Sequence, residues 1–271
     1  MKVIILAPIY NSLYSLLVTQ GCISEPGVEV AGIIIRKILN IKRFRSEFRR
    51  DRVRLLKKMW GKLVLGHRGL SHDGGEGTPQ GLARPVELRD RSLPTLARRY
   101  KIPFTKVSDL NDEHSLIFLR EHSPDLVLFT GGGLIRKQIL DVSGRGVLNA
   151  HMGLLPHYRG MDVVEWPFVE NHHSDIEIGV TLHVMDQGVD TGPILMRRRI
   201  PIRSGDTFER IRQRFETAMI EVMLEGVRSA RDHRMVLIPQ NRDEGRLYFM
   251  MHPRLGDLAM KKLMAMSFGL E

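Results

Sequence analysis

Four short apolar runs separated by helical stretches constrain this chain more than any other feature of its sequence. They are Lys2-Val-Ile-Ile-Leu-Ala7, Val28-Glu-Val-Ala-Gly-Ile-Ile-Ile35, Ile102-Pro-Phe-Thr-Lys-Val107 and Asp125-Leu-Val-Leu-Phe-Thr130. Short apolar runs without polar alternation read as strands buried on both faces. Between them, Asn11 to Thr19 places Leu13, Leu16 and Leu17 on one helical face. Leu93 to Tyr100 reads as a second helix, and Asn111 to Glu121 as a third with the acidic start a helix dipole favours. This alternation predicts an α/β fold, a doubly wound parallel sheet with helices on both faces. Ligands of such sheets sit beyond the carboxyl ends of the strands, so the loops after Leu6, Ile35, Val107 and Thr130 are the places to search.

Composition narrows the class. The 271 residues are 42% hydrophobic and 27% charged, which fits a soluble chain with a real core rather than a collagenous or disordered one. The single cysteine, Cys22, excludes a disulfide framework and a multi-cysteine zinc site, and its burial-prone type and neighbours predict an inert thiol. No apolar run approaches the roughly 20 residues needed to span a bilayer. The N-terminus lacks a signal-peptide layout, and the expected location is cytoplasmic.

The net charge is +10, but it is not evenly spread. Arg36 to Arg68 holds 13 Lys and Arg against two acids, Glu47 and Asp51, a segment of +11 that leaves the rest of the chain at −1. A uniformly basic nucleic-acid binder is therefore a poor description. Residues 36–90 form an excursion between the second and third strands. Its first part reads as a basic amphipathic helix with Phe44, Phe48, Leu55, Leu56, Met59 and Leu63 as a stripe. Its second part, Gly66 to Gly81, reads as a glycine-rich loop. The helix invites three readings. It packs on the domain, it docks on an anionic membrane surface through residues 36–68, or it grips phosphates, with nucleic acid the least favoured for want of aromatics.

The second half predicts a compact β-rich unit. Gly146 to Ala150, Ile178 to Met185 and Pro193 to Ile202 read as strands. Asp206 to His233 reads as a long helix, capped by Thr207 or Asp206, with Ile211, Phe215, Met219 and Met223 inward. The expected organisation is a catalytic domain over 1–202, including the insert, and an extension over 203–271 packed against it. No interface or oligomeric state is legible, and no internal repeat is present.

Reactive groups concentrate in Asn149-Ala-His151-Met-Gly-Leu-Leu-Pro156-His-Tyr-Arg-Gly160, and then in Gly179-Val-Thr-Leu-His-Val-Met-Asp186-Gln-Gly-Val-Asp190-Thr-Gly-Pro193. Asn149 and His151 lie two apart on a strand, so both face one side. Asp190 sits in a turn that can approach the histidine. An amide donor, an imidazole and a carboxylate suffice for acyl transfer. The amide donates to a developing oxyanion, the imidazole moves a proton, and the carboxylate orients the imidazole.

These linked motifs resemble the folate-dependent formyltransferase family, with the match running from about Asp125 to Ile202. The resemblance implies a Rossmann-like variant fold, 10-formyltetrahydrofolate as formyl donor, no metal, and a primary amine on a small or carrier-linked acceptor. It places the catalytic roles on Asn149, His151 and Asp190. Asn149 and protonated His151 would stabilise the oxyanion, and Asp190 would hold His151 and take the amine proton through a water. It implies a pterin slot lined by Leu134, Ile135, Asp186, Gln187, Gly188 and Val189, and acceptor contacts from Tyr10, Tyr158 and Arg159. The chain also departs from the family pattern. Gly153 stands where Ser is common. Ala7 to Ser12 lacks the glycines that cradle a ribonucleotide phosphate, and only 38 residues follow the long helix, too few for a tRNA-binding barrel. The expectation is a nucleotide-linked amino sugar as acceptor. The alternatives are a formyl-folate hydrolase, a methionyl-tRNA formyltransferase-like enzyme, and a non-catalytic docking protein.

Plainer roles stand beside these. His183 reads as a packing or supporting residue, Asp186 as a turn former, Arg159 as an ion-pair partner fixing its loop, Trp166 as core, and His172-His173 as a solvated loop.

Overall fold

A computed structural model describes residues 1–37, 90–131 and 133–266. The basic helix and glycine-rich loop expected within residues 36–90 lie, apart from its first and last positions, outside the described residues.

The strands are β1 (Lys2–Ala7), β2 (Glu29–Arg36), β3 (Phe104–Val107), β4 (Leu126–Phe129), β5 (Val147–His151), β6 (Tyr158–Gly160), β7 (Gly179–Val184), β8 (Ile194–Arg199) and β9 (Arg246–Tyr248). The described helices are α1 (Leu13–Ser24), α2 (Leu93–Arg99), α3 (Glu113–His122), α4 (Lys137–Leu140), α5 (Trp166–Glu170), α6 (Phe208–Arg231) and α7 (Pro253–Met266). Seven strands form one sheet in the order β3-β2-β1-β4-β5-β7-β8, while β6 and β9 pair separately.

The first five strands of that order run parallel. β7 does not. It is antiparallel to β5, and β8 is antiparallel to β7. The sheet is therefore mostly parallel, as expected for a doubly wound fold, with two antiparallel strands added at one edge. The β-rich second half joins the same sheet, because β5, β7 and β8 extend its first-half strands. A parallel return needs a crossover lying across a sheet face. The chain from β5 to β7 instead builds loops at the sheet edge around β6 and the five-residue α5, and re-enters running the other way.

Why the apolar runs lack alternation is visible in the packing. Val3, Ile5 and Ala7 point into one cluster with Leu16, Ile33, Leu128, Leu148, Leu182 and Phe215, whereas Ile4 and Leu6 point into another with Ile34, Val127, Phe129 and Leu119. Each strand thus buries both faces, as a doubly wound sheet requires. α1 and α6 cover the first face and α3 the second.

Two helix starts bear on the site. Ser12 Oγ accepts from Ser15 N at 3.2 Å and caps α1, and Thr207 Oγ1 accepts from Arg210 N at 3.3 Å to cap α6. Asp206 does not cap. It accepts from Arg203 N and pairs with Arg214. The winding reverses between β1 and β4, the switch point where crevices open. There Thr130 donates to Leu6 O at 2.9 Å and its hydroxyl meets Ser15 Oγ at 2.8 Å, tying the two strand ends to α1.

Candidate active site

The site forms where β5 ends. Asn149 and His151 project to the same side of β5, as the period of two requires. The antiparallel register sets Asn149 opposite His183 on β7. The loop after β7 then returns Asp190 to the same place. Asp190 Oδ2 lies 3.5 Å from His151 Nδ1, and Oδ1 lies 3.5 Å from His183 Nε2. Oδ2 also accepts from Gly160 N at 3.0 Å. Asp190 reaches this position with φ 54°, in the left-handed region that Asp tolerates better than most residues.

His151 Nε2 lies 2.8 Å from the Tyr158 carbonyl oxygen. A carbonyl only accepts, so Nε2 carries a hydrogen, and Nδ1 is left facing the Asp190 carboxylate. The surroundings therefore complement a doubly protonated ring. Burial opposes this and holds the imidazole below its ordinary value, while Asp190 and the Tyr158 carbonyl pull it back up. Asp190 behaves in the opposite sense. Burial raises it, but the hydrogen bond from His183, the charges of the two histidines and the Gly160 amide together hold it below the usual carboxylate range.

Asn149 Nδ2 lies 3.1 Å from His183 Nε2. A bare Nε2 accepts from that amide, and a protonated one donates to Asp190. His183 Nε2 thus faces both Asn149 and Asp190 and serves one or the other, while Nδ1 lies 3.2 Å from the Val184 carbonyl oxygen, and the ring is buried. Sequence reasoning assigned it to packing or support. Its place beside Asn149 depends on the antiparallel β5–β7 pairing, which a parallel reading hides. The usable signal was its position within the same Gly-Val-Thr-x-His motif.

Asn149 and His151 line a cavity of about 240 Å³ together with Ala150, Met152, Gly160, Asp162, Val163, Val164 and Arg212. Arg212 pairs with Glu165 at its rim. A second cavity of about 370 Å³ lies beside β6 and is lined by Tyr158, Tyr248, Asn171, Asp175, Glu177, Glu244 and their neighbours.

The other residues singled out in the sequence are placed as follows. Leu134 is 68% exposed, whereas Ile135 is buried in the cluster that Met185 also packs against, so the loops after β4 and β7 flank one apolar floor. Asp186 Oδ1 accepts from Gly188 N at 2.9 Å and from Thr191 Oγ1 at 2.6 Å, which folds Gln187, Gly188 and Val189 into a tight turn. Neither cavity is lined by Leu134, Ile135 or residues 186–189. Tyr158 lines the larger cavity, with its hydroxyl accepting from Asn171 at 2.7 Å. Arg159 donates from Nη2 to the carbonyls of Arg242 at 3.2 Å and Gly245 at 3.1 Å, because β6 runs beside β9, while its buried Nε has no hydrogen-bond partner among the described residues. Tyr10 is exposed on the loop after β1 and its carbonyl accepts from Leu93 N. The Trp166 ring meets Tyr248 at a tilt of 36° with centroids 5.0 Å apart, and His172 is exposed. Among the described residues no group of three or more His, Cys, Asp or Glu could hold a metal ion.

Gly153 explains a departure in the motif. A Cβ there would lie 2.5 Å from the Tyr158 carbonyl oxygen and 2.8 Å from His151 Nε2. The hydrogen bond between those two groups occupies the space a serine side chain would need.

The sheet and this cluster define a Rossmann-like α/β protein with titratable side chains gathered at the end of β5. The chain belongs to the formyl transferase family, whose model matches residues 82–227, more than half of its length. It is 32% identical over 145 residues to a methionyl-tRNA formyltransferase of Syntrophus aciditrophicus, covering 53% of this chain and 46% of that one. The chain spans about half the length of the relatives it matches. Its fold is similar to glycinamide ribonucleotide transformylase 1 of Symbiobacterium toebii, with TM-score 0.57 and 19% identity over 89% of this chain and 95% of that one. It is equally similar, with TM-score 0.57 and 14% identity over 97% and 80%, to an N-formyltransferase from Helicobacter canadensis solved with folinic acid and dTDP-3-aminofucose.

Proposed function

We propose that this chain transfers the formyl group of 10-formyltetrahydrofolate to a primary amine of a small or carrier-linked acceptor, a nucleotide-linked amino sugar being the leading candidate. The observation that carries the reading is the convergence of Asn149, His151 and Asp190 at the end of β5, two of them on the wall of one cavity. The donor fits the chemistry around it. The buried Ile135 and the exposed Leu134 offer an apolar face for a flat ring beside the turn at 186–189, whose backbone amides and carbonyls can pair with ring nitrogens. When bound, the folate supplies the formyl carbon; its C–N bond breaks as the amide bond to the acceptor forms, and one proton passes from amine to folate nitrogen.

The chain's own groups divide that work. Asn149 offers the amide hydrogen not directed at His183 toward an oxyanion at the cavity wall. His151, with Nε2 held by the Tyr158 carbonyl and Nδ1 facing Asp190, supplies positive charge beside it when it carries both protons. Asp190, kept ionised by its neighbours, holds the imidazole and accepts the amine proton through a water.

Methionyl-tRNA is a second acceptor reading. It is supported by the names of the sequence relatives and by the +11 segment at 36–68. The two separate in an acceptor screen scored by tetrahydrofolate release, with nucleotide-linked amino sugars in one arm and methionyl-tRNA in the other. Turnover in the first arm alone is the expected outcome. Release that ignores every amine and consumes the donor with water alone contradicts the transferase reading.

A further inference from the structure

The backbone of Asp190 is gripped by a stretch of chain that lies beyond the residues 82–227 matched by the family. Gln240 Nε2 donates to Asp190 O at 3.1 Å and to Gly192 O at 2.5 Å, so both amide hydrogens are used. Two carbonyl acceptors leave no choice about which end of the amide faces them. Gln240 is fixed in register because Ile238, two residues earlier, exchanges paired 2.8 Å hydrogen bonds with Ile194 at the start of β8. The turn it grips has no slack on its other side. A Cβ at Gly192 would come within 1.8 Å of the Val184 carbonyl oxygen. The carboxylate of Asp190 is held from the same direction. Its partner Gly160 belongs to β6, which pairs with β9. Met161 N also donates to Tyr248 O at 3.0 Å.

We propose that Gln240 is a positioning residue for Asp190, and that the segment from Ile238 to Tyr248 is a strap that sets the distance between the Asp190 carboxylate and His151. The proposal rests on the reading of the site given above. Its physical basis is the left-handed backbone of Asp190, φ 54°, which persists only where the surroundings fix it. Without the two donations from Gln240, the turn can relax and carry the carboxylate away from the imidazole, which lies 3.5 Å off. The attraction between unlike charges falls as the distance grows.

The test uses the whole protein with Gln240→Met, which keeps the side-chain length and removes both donations. His151 is followed by NMR through a pH titration, without donor or acceptor. The groups facing that ring are Asp190, His183 and the Tyr158 carbonyl, with Asp162 and Arg212 lining the same cavity. Of these, Asp190 alone belongs to the turn that Gln240 grips. His151 is expected to titrate at lower pH than in the parent, because Asp190 raises it. In turnover, kcat is expected to fall by about ten- to hundredfold with KM for the donor nearly unchanged. Parent-like titration and parent-like kcat overturn the proposal. Should Gln240→Met fail to fold, Gln240→Glu takes its place. Its carboxylate opposes two carbonyls when ionised and regains one donation when protonated, so activity relative to the parent should rise as pH falls. A flat ratio overturns the proposal. A parent without formyl transfer defeats the catalytic reading, and the His151 titration still decides the strap.

Discussion

Asp190 carries more of the site's electrostatics than its single charge suggests, since both histidines and a backbone amide converge on it. Its folded value lies below the ordinary 3.8, so its ionised form contributes stability that is present above that pH and lost as pH falls through the lower folded value. Melting temperatures measured from pH 5 to pH 2.5 should therefore fall more steeply for the parent than for Asp190→Asn. Parallel slopes would show that the carboxylate has no stabilising partners. Gly153 gives a second prediction. Gly153→Ser places atoms within 2.5 Å of the Tyr158 carbonyl and 2.8 Å of His151. It should lower stability by about 1–3 kcal/mol by overpacking and reduce formyl transfer. A variant with parent-like denaturation midpoint and turnover would refute this. Cys22 gives a third. It is fully buried and its thiol is pushed up to about 12 by burial first and by Glu25 second, so a thiol reagent at neutral pH should label only denatured protein. At this scale the meeting of Asn149, His151 and Asp190 was legible from the strand period and the two linked motifs. His183, Gln240 and the amide of Gly160 were not, because they meet Asn149 or Asp190 across 30 to 50 residues of sequence or through backbone atoms.

The elements were legible where burial alone decides their pattern. β1, β2 and β4 read as continuous apolar runs because each faces two cores, and α6 read as a long amphipathic helix because its Ile211, Phe215 and Met223 bury on one side. Strand direction was not legible, since a half-buried strand has the same period whichever way it runs. That one unknown concealed the pairing of Asn149 with His183. The crossing of α6 over the sheet is set by Gly226. A Cβ there would meet Leu182 Cδ2 at 2.4 Å and Leu148 Cδ1 at 3.2 Å, side chains of β7 and β5. Gly226→Val should destabilise by about 1–3 kcal/mol, read as a lower urea midpoint with an unchanged m-value. No shift in the midpoint would mean the helix does not depend on close approach at this point.

Across the whole molecule, charge and chemistry occupy different parts of the chain. The +11 segment at 36–68 stands apart in sequence from Asn149, His151 and Asp190, and the rest of the chain sums to −1. The sequence leaves this segment three readings, packing on the domain, docking on anionic lipid and gripping phosphates, and we propose the second for test, since it would bring the enzyme to a carrier-linked acceptor at a membrane. Each basic residue near such a surface contributes about 1 kcal/mol. Neutralising Arg49, Arg50, Arg52 and Arg54 together should then weaken binding to phosphatidylserine vesicles at low salt by at least about hundredfold, with donor binding unchanged. Absence of vesicle binding by the parent contradicts this role. The central claim concerns the other region, and it turns on one imidazole. The most direct measurement is amine-dependent release of tetrahydrofolate from 10-formyltetrahydrofolate by the parent and by His151→Ala, with an acceptor that the screen identifies. Turnover by the parent and its loss by at least about a thousandfold in the variant are expected; equal turnover by the two proteins would show that His151 takes no part in the transfer.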